Sequence, residues 1–172
     1  LILNLVIVLV EKTSSINKEI ALRILESLLS LIKSSGAWVS VIFYGDRAVP
    51  VLDPSDNFSK ELIELYESAP DLGKSPKIEE ALGEALELVI EYSWKARAIR
   101  TSIIWSASVK PSKLADSLLE ALEKAGPKVS VLALRTSLPG WIKHHQAIMA
   151  RTKVLRPNAN PFRVAESLLF ES

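Results

Sequence analysis

Leu5-Val6-Ile7-Val8-Leu9-Val10, running straight into Glu11-Lys12-Thr13-Ser14-Ser15, is the stretch on which the fold turns. Six apolar residues in a row, half of them valine, read as a strand buried on both faces. The polar residues that follow read as a turn, and an amphipathic stretch begins at once behind them. A strand covered on both sides and followed by a helix belongs at the centre of an open α/β sheet. Ligands of such sheets bind beyond the carboxyl ends of the strands. Glu11 to Ser15 is therefore expected at the mouth of whatever site exists.

Working outward, Ser15 is expected to cap a helix from about Ile16 to Gly36. Its apolar stripe is Ile16, Ile20, Ile24, Leu28 and Ile32, flanked by Leu22, Leu25 and Leu29. Ala37 to Tyr44 reads as a second strand, Gly45-Asp46-Arg47 as a tight turn, and Ala48 to Leu52 as a short third strand. Pro50 places that strand at a sheet edge, and the short turn makes the pair antiparallel. Phe58 to Glu67 and Lys77 to Lys95 read as helices separated by a Pro/Gly loop. Thr101 to Ser106 is a fourth strand, and a helix opening at Pro111 runs to Gly126. Lys128 to Leu134 is a fifth strand, Trp141 to Met149 a short helix, and Thr152 to Leu155 a sixth strand. Asn160-Pro161 caps a last helix ending near Phe170. The fold class that follows is three-layer α/β/α. Its six-stranded sheet is mostly parallel, with one antiparallel edge strand.

At 172 residues, 48% apolar and 24% charged, the chain is expected to be a single domain with a sizeable core. The absence of cysteine excludes disulfides and thiolate metal sites. It agrees with a reducing, cytoplasmic setting. The first residue is leucine, so 1–172 reads as a domain excised from a longer chain, whose remainder could carry a membrane anchor. The opening apolar run is too short to span a bilayer, and no membrane contact is expected of this segment itself. Net charge is +1, but it is polarised. Asp56 to Glu91 holds ten acidic and three basic residues, and Lys124 to Val164 holds eight basic and no acidic ones. Two readings follow: solvated faces that complement each other or a neighbour, or a basic edge for nucleic acid or an acidic partner.

The order of elements and several strings resemble the von Willebrand factor type A (vWA) family. Leu5 to Ser15 looks like that family's first strand and metal-site loop. Val41-Ile42-Phe43-Tyr44-Gly45-Asp46-Arg47-Ala48-Val49 looks like its strand, turn and edge strand. Ile78 to Leu86, and Leu118 to Leu134, look like later helix and strand segments. Within the family the chain is similar to the vWA segment of prokaryotic multidomain proteins of poorly understood function. The resemblance implies a divalent site built from Asp-x-Ser-x-Ser on the first strand, a threonine on a second loop and an aspartate after the fourth strand. Here the first motif reads Glu11-Lys12-Thr13-Ser14-Ser15, which keeps oxygens at Glu11, Thr13 and Ser15. The second loop offers Ser75, with Pro76 at the expected threonine. Ser106-Ala107-Ser108 stands where the aspartate belongs. One carboxylate with hydroxyls is a poor cage for Mg²⁺, so the site is expected to be degenerate, holding Mg²⁺ weakly or not at all. In the metal-free case the hydroxyls turn the chain, and Glu11 bonds nearby amides or pairs with Lys12 or Lys74.

Other chemistries find less support. His144 and His145 are adjacent and point about 100° apart on a helix, so they do not chelate. No Gly-x-Ser-x-Gly elbow or glycine-rich phosphate loop is present. A topoisomerase–primase (Toprim) type of metal enzyme would need Glu11 to meet Asp53 or Asp56. The tryptophans, Trp38, Trp94, Trp105 and Trp141, read as core or rim packing. The expected function is a non-catalytic interaction domain that binds a protein, or another domain of its own chain, along the carboxyl edge of the sheet. That edge comprises Glu11 to Ser15, Asp71 to Ser75, Ser106 to Lys110 and Thr136 to Gly140. Glu11, Thr13, Ser15, Ser75, Ser106 and Ser108 are the candidate partner-binding residues. The alternative is nucleic-acid binding through Lys143, Arg151, Lys153, Arg156 and Arg163.

Overall fold

A computed structural model describes residues 1–171. Its six strands are β1 (Ile2–Glu11), β2 (Trp38–Tyr44), β3 (Ala48–Ser55), β4 (Ala96–Trp105), β5 (Lys128–Ala133) and β6 (Thr152–Val154). They form one sheet in the order β3-β2-β1-β4-β5-β6. β1 lies parallel between β2 and β4, Leu9 pairing with Ile42 on one side and Ile103 on the other. β3 alone runs antiparallel, at the edge, with exposed Pro50 opposite Ile42. The architecture read from the sequence is therefore observed.

β1 shows why an unbroken apolar run was needed. Leu5, Ile7 and Leu9 enter the core layer under α3 (Ile78–Tyr92) and α4 (Lys113–Lys124). Val6, Val8 and Val10 enter the opposite layer, under α1 (Lys18–Ser35) and α6 (Pro161–Phe170). Each such side chain contributes about 1.5–3 kcal/mol on burial. The strand is thus held from both faces, which fixes its exit.

Several boundaries differ from the sequence reading. Ser15 does not cap α1. Asn17 does, accepting from Ile20 N at 3.2 Å, while Ile16 is buried ahead of the helix. The short helix α2 spans Glu61–Ser68, starting after buried Phe58. β4 begins at Ala96, well ahead of the Thr101 start read from the sequence, because Ile2 to Leu5 pair with Ala96 to Ile99. α4 starts after Ser112, with Pro111 ahead of the cap rather than in the first turn. The expected helix Trp141–Met149 divides into a 3₁₀ turn, Gly140–His144, and α5 (Gln146–Arg151). The break falls at His145, whose buried ring packs edge-on against Trp141 at 6.4 Å between centroids. Gly36 and Asn160 terminate and cap their helices as expected.

Candidate functional site

Glu11 is the last residue of β1, and its side chain is fully buried. A buried carboxylate needs donors, and two are present. Thr13 Oγ1 donates to Oε2 at 2.5 Å, and the Ser106 N–H, just past β4, donates to Oε1 at 2.8 Å. Thr13 Oγ1 also accepts from Ser15 N at 3.2 Å. The Glu11 carbonyl accepts from the Tyr66 hydroxyl of α2 at 2.7 Å. Beside it, the Tyr44 hydroxyl donates to the Ile104 carbonyl at 2.8 Å.

The loop between α2 and α3 is laced to the same place. Leu72 N donates to Lys12 O at 2.7 Å, and Ser15 Oγ donates to Lys74 O at 3.0 Å. Asp46 N donates to Leu72 O at 2.7 Å, and Asp46 Oδ1 accepts from Ser75 N at 3.2 Å. A Cβ on Gly45 would strike the Leu72 carbonyl at 2.9 Å from its carbon, so only glycine lets the two loops approach this closely. Ser106 Oγ donates to Ser108 Oγ at 3.0 Å, and Ala107 between them takes φ 55°, a left-handed turn rare for alanine. Its carbonyl accepts from Arg135, beyond β5, at 3.1 Å.

Burial sets the electrostatics. It raises the Glu11 pKa above the usual carboxylate value; the Thr13 hydroxyl, the Ser106 amide and more distant Lys18 act against it. Burial lowers the Lys12 pKa, opposed by Asp71 and Glu67 and reinforced by Lys18. Lys12 does not pair with Glu11: its ammonium lies 4.9 Å from the Tyr66 ring centroid. Both tyrosines, Tyr44 and Tyr66, are held neutral, first by burial and then by the charge of Glu11.

The six sequence-read residues therefore fall into two sets. Glu11, Thr13 and Ser106 are buried, whereas Ser15 and Ser108 are exposed and Ser75 is half-buried. The structure joins them through hydrogen bonds in one patch at the carboxyl edge of the sheet. As a cage for Mg²⁺ the donor set fits badly. The single carboxylate has both oxygens engaged, Thr13 Oγ1 donates and accepts already, and Ser15 Oγ is spent on Lys74. No group of three acidic or histidine side chains converges among the described residues. The sequence reading missed Tyr66, Asp46 and Arg135. Arg135 had the same signal as Glu11, a polar residue at the end of an apolar strand; Tyr66 had none.

The competing chemistries are placed as well. β3 runs antiparallel, so Leu52 and Ser55 face Val41 and Val39, level with Val8 and Val6 of β1. Asp53 thus lies three to five residues down the sheet from Glu11, or about 10–16 Å at ~3.3 Å per residue. Glu11 and Asp53 do not converge as the Toprim arrangement with that pair requires. Of the five residues offered for nucleic acid, Arg151, Lys153 and Arg163 pair with Glu123, Glu171 and Glu166. His145 is buried with Nδ1 3.6 Å from Asp116, and His144 is exposed, so the two do not act together. Trp105 is fully buried, Trp38 and Trp141 are half-buried, and Trp94 is exposed.

No protein-family model matches the chain, and no curated protein does. Solved structures do. The conserved hypothetical protein BatB from Bacteroides thetaiotaomicron is 14% identical, with TM-score 0.72, covering 94% of this chain and 95% of that one. An aerotolerance-related membrane protein from Bacteroides fragilis is 13% identical, with TM-score 0.71 and 96% of each chain covered. The VWA domain of SpRpn10 is 12% identical, with TM-score 0.68, covering 95% and 94%. Among the described residues, no helix is long and apolar enough to cross a membrane. With the strand order, the single antiparallel edge and these likenesses together, the chain has the fold of a von Willebrand factor type A domain.

Proposed function

We propose that this chain is a non-catalytic interaction domain, docking a protein partner or a neighbouring domain of its parent chain along the carboxyl edge of its sheet without a metal. The reading rests on one observation: the hydrogen-bond network that starts at buried Glu11 and ties three loops to a single base. Glu11 reaches Ser106, and Ser15 reaches Lys74. Exposed Ser14, Ser15 and Ser108, with half-buried Ser75, stand on that base. Loops fixed in this way offer preorganised hydroxyls and lose little entropy on binding. Glu11, Thr13 and Ser106 form the inner half of the patch. They act by holding the outer half in place.

The vWA likeness supports the class of function, since Mg²⁺ would bring only one more way to hold a partner's carboxylate. The cysteine-free composition fits the cytoplasm. The test is capture of partners from native lysate on the immobilised domain, with and without EDTA. The wild type is compared with Ser15→Arg and Ser108→Arg, both at exposed positions. The expected result is a partner retained in EDTA and lost from both variants. Retention by both variants, or loss in EDTA alone, would overturn the reading.

A further inference from the structure

The basic residues of the C-terminal third are not equivalent. Three of the eight are matched by a carboxylate: Arg151 by Glu123, Lys153 by Glu171, Arg163 by Glu166. Of the rest, Arg135 and Arg156 come together in a groove of about 400 Å³ beside the patch described above. It lies between the first turns of α1, the exits of β5 and β6, and the start of α6. Three arginines line it, Arg23, Arg135 and Arg156, along with half-buried Ile20, Leu134 and Leu155. No acidic residue lines it. Arg156 has no ion-pair partner among the described residues, and Arg135 donates only to the Ala107 carbonyl. Arg23 pairs with Glu19, but both side chains are more than 60% exposed, and such a pair exchanges readily.

We propose that this groove receives an acidic segment of the partner, with an apolar side chain seated on the half-buried Ile20–Leu134–Leu155 floor and flanking carboxylates held by Arg156, Arg23 and Arg135. It deepens the interaction reading given above and rests on it. The argument is charge complementarity joined to shape. Guanidinium groups bind carboxylates in a two-pronged geometry. The volume, about 400 Å³, lies at the lower end of the range of clefts that take a small ligand group. Nucleic acid suits it less, because no aromatic ring lines the groove for a base to stack on. Arg135 links the two places, since the carbonyl it holds belongs to the Ser106–Ser108 turn.

The probe is the peptide acetyl-Glu-Leu-Glu-Glu-Leu-amide, titrated into the ¹⁵N-labelled domain, with its all-glutamine counterpart as control. Amide shifts are expected at Leu155 to Asn160, together with the Nε–H signals of Arg23 and Arg156. The glutamine peptide and the Arg23→Gln/Arg156→Gln double variant should each bind at least tenfold more weakly. Equal binding of both peptides, equal competition by inorganic phosphate or an oligo-dT strand, or no shift in the groove would overturn the proposal. The lysate capture separates it from the broader reading. A double variant that keeps its partner, while Ser108→Arg loses it, removes the groove and leaves the patch.

Discussion

Replacing Glu11 distinguishes a buried brace from a surface ligand. In Glu11→Ala, the Ser106 N–H and the Thr13 hydroxyl lose their acceptors inside the protein. An orphaned buried donor costs about 1–3 kcal/mol, and the emptied volume adds a cavity term of ~24 cal/mol per Å³. Relief from burying a carboxylate offsets part of this. The net expected loss is about 3 kcal/mol, a large share of the ~5–15 kcal/mol that holds a domain together. Glu11→Gln keeps the shape and one acceptor for Ser106, so about 1 kcal/mol or less should be lost. It also removes the titration. Burial raises the folded-state pKa of Glu11 above its unfolded value, so between those values the native state binds more protons. The stability tied to this group is then fully present below the unfolded pKa and falls as pH rises through the folded one, by up to about 1.4 kcal/mol per pH unit. Urea unfolding of wild type, Glu11→Ala and Glu11→Gln from pH 4 to 8 measures both effects. The difference between wild type and Glu11→Gln should shift against the wild type as pH rises. An unfolding free energy unchanged in Glu11→Ala, or a difference moving the opposite way with pH, would refute the reasoning.

Other substitutions probe the same base. Tyr66→Phe removes the donor to the Glu11 carbonyl but keeps the edge-on contact with Phe43; about 1–1.5 kcal/mol should be lost in urea unfolding. Gly45→Ala drives a Cβ into the backbone of Leu72; a loss of about 2 kcal/mol or more is expected, and faster amide exchange at Asp46 and Leu72 would localise it. Asn17→Ala removes the cap on Ile20 N and should cost about 1 kcal/mol, whereas Ser15→Ala, which caps nothing, should cost less. Equal losses from these last two would restore Ser15 as the cap.

The sheet was legible because burial on two faces leaves an unbroken apolar run, and few other arrangements give one. Leu5 to Val10 placed β1 at the centre, and Pro50 placed β3 at the rim. Helix starts were less legible. Ser15 and Asn17 are both good caps, and the choice fell to Asn17 because Ile16 has to reach the core first. Ala96 to Arg100 alternates poorly as a strand and became one only because Ile2 to Leu5 offered a partner. The candidate patch was located by position, since Glu11 ends β1 and Ser106 follows β4. Its burial was not legible. Whether a polar residue at a strand exit faces solvent depends on what closes over it, here helix α2 with Tyr66 and the loops carrying Leu72 and Ser106. The charge-polarised sequence gave no hint of which arginines stay unmatched, because Glu123, Glu166 and Glu171 lie outside or at the edges of the basic run and reach it only after folding.

The most direct measurement is a ¹³C NMR titration of the Glu11 side-chain carboxyl, made with and without 10 mM Mg²⁺. A midpoint above the ordinary glutamate value, unmoved by Mg²⁺, is the result expected of a sealed brace beneath a metal-free docking face. A midpoint at or below that value, or one displaced by Mg²⁺, would mean that Glu11 meets solvent or a cation, and would contradict the account.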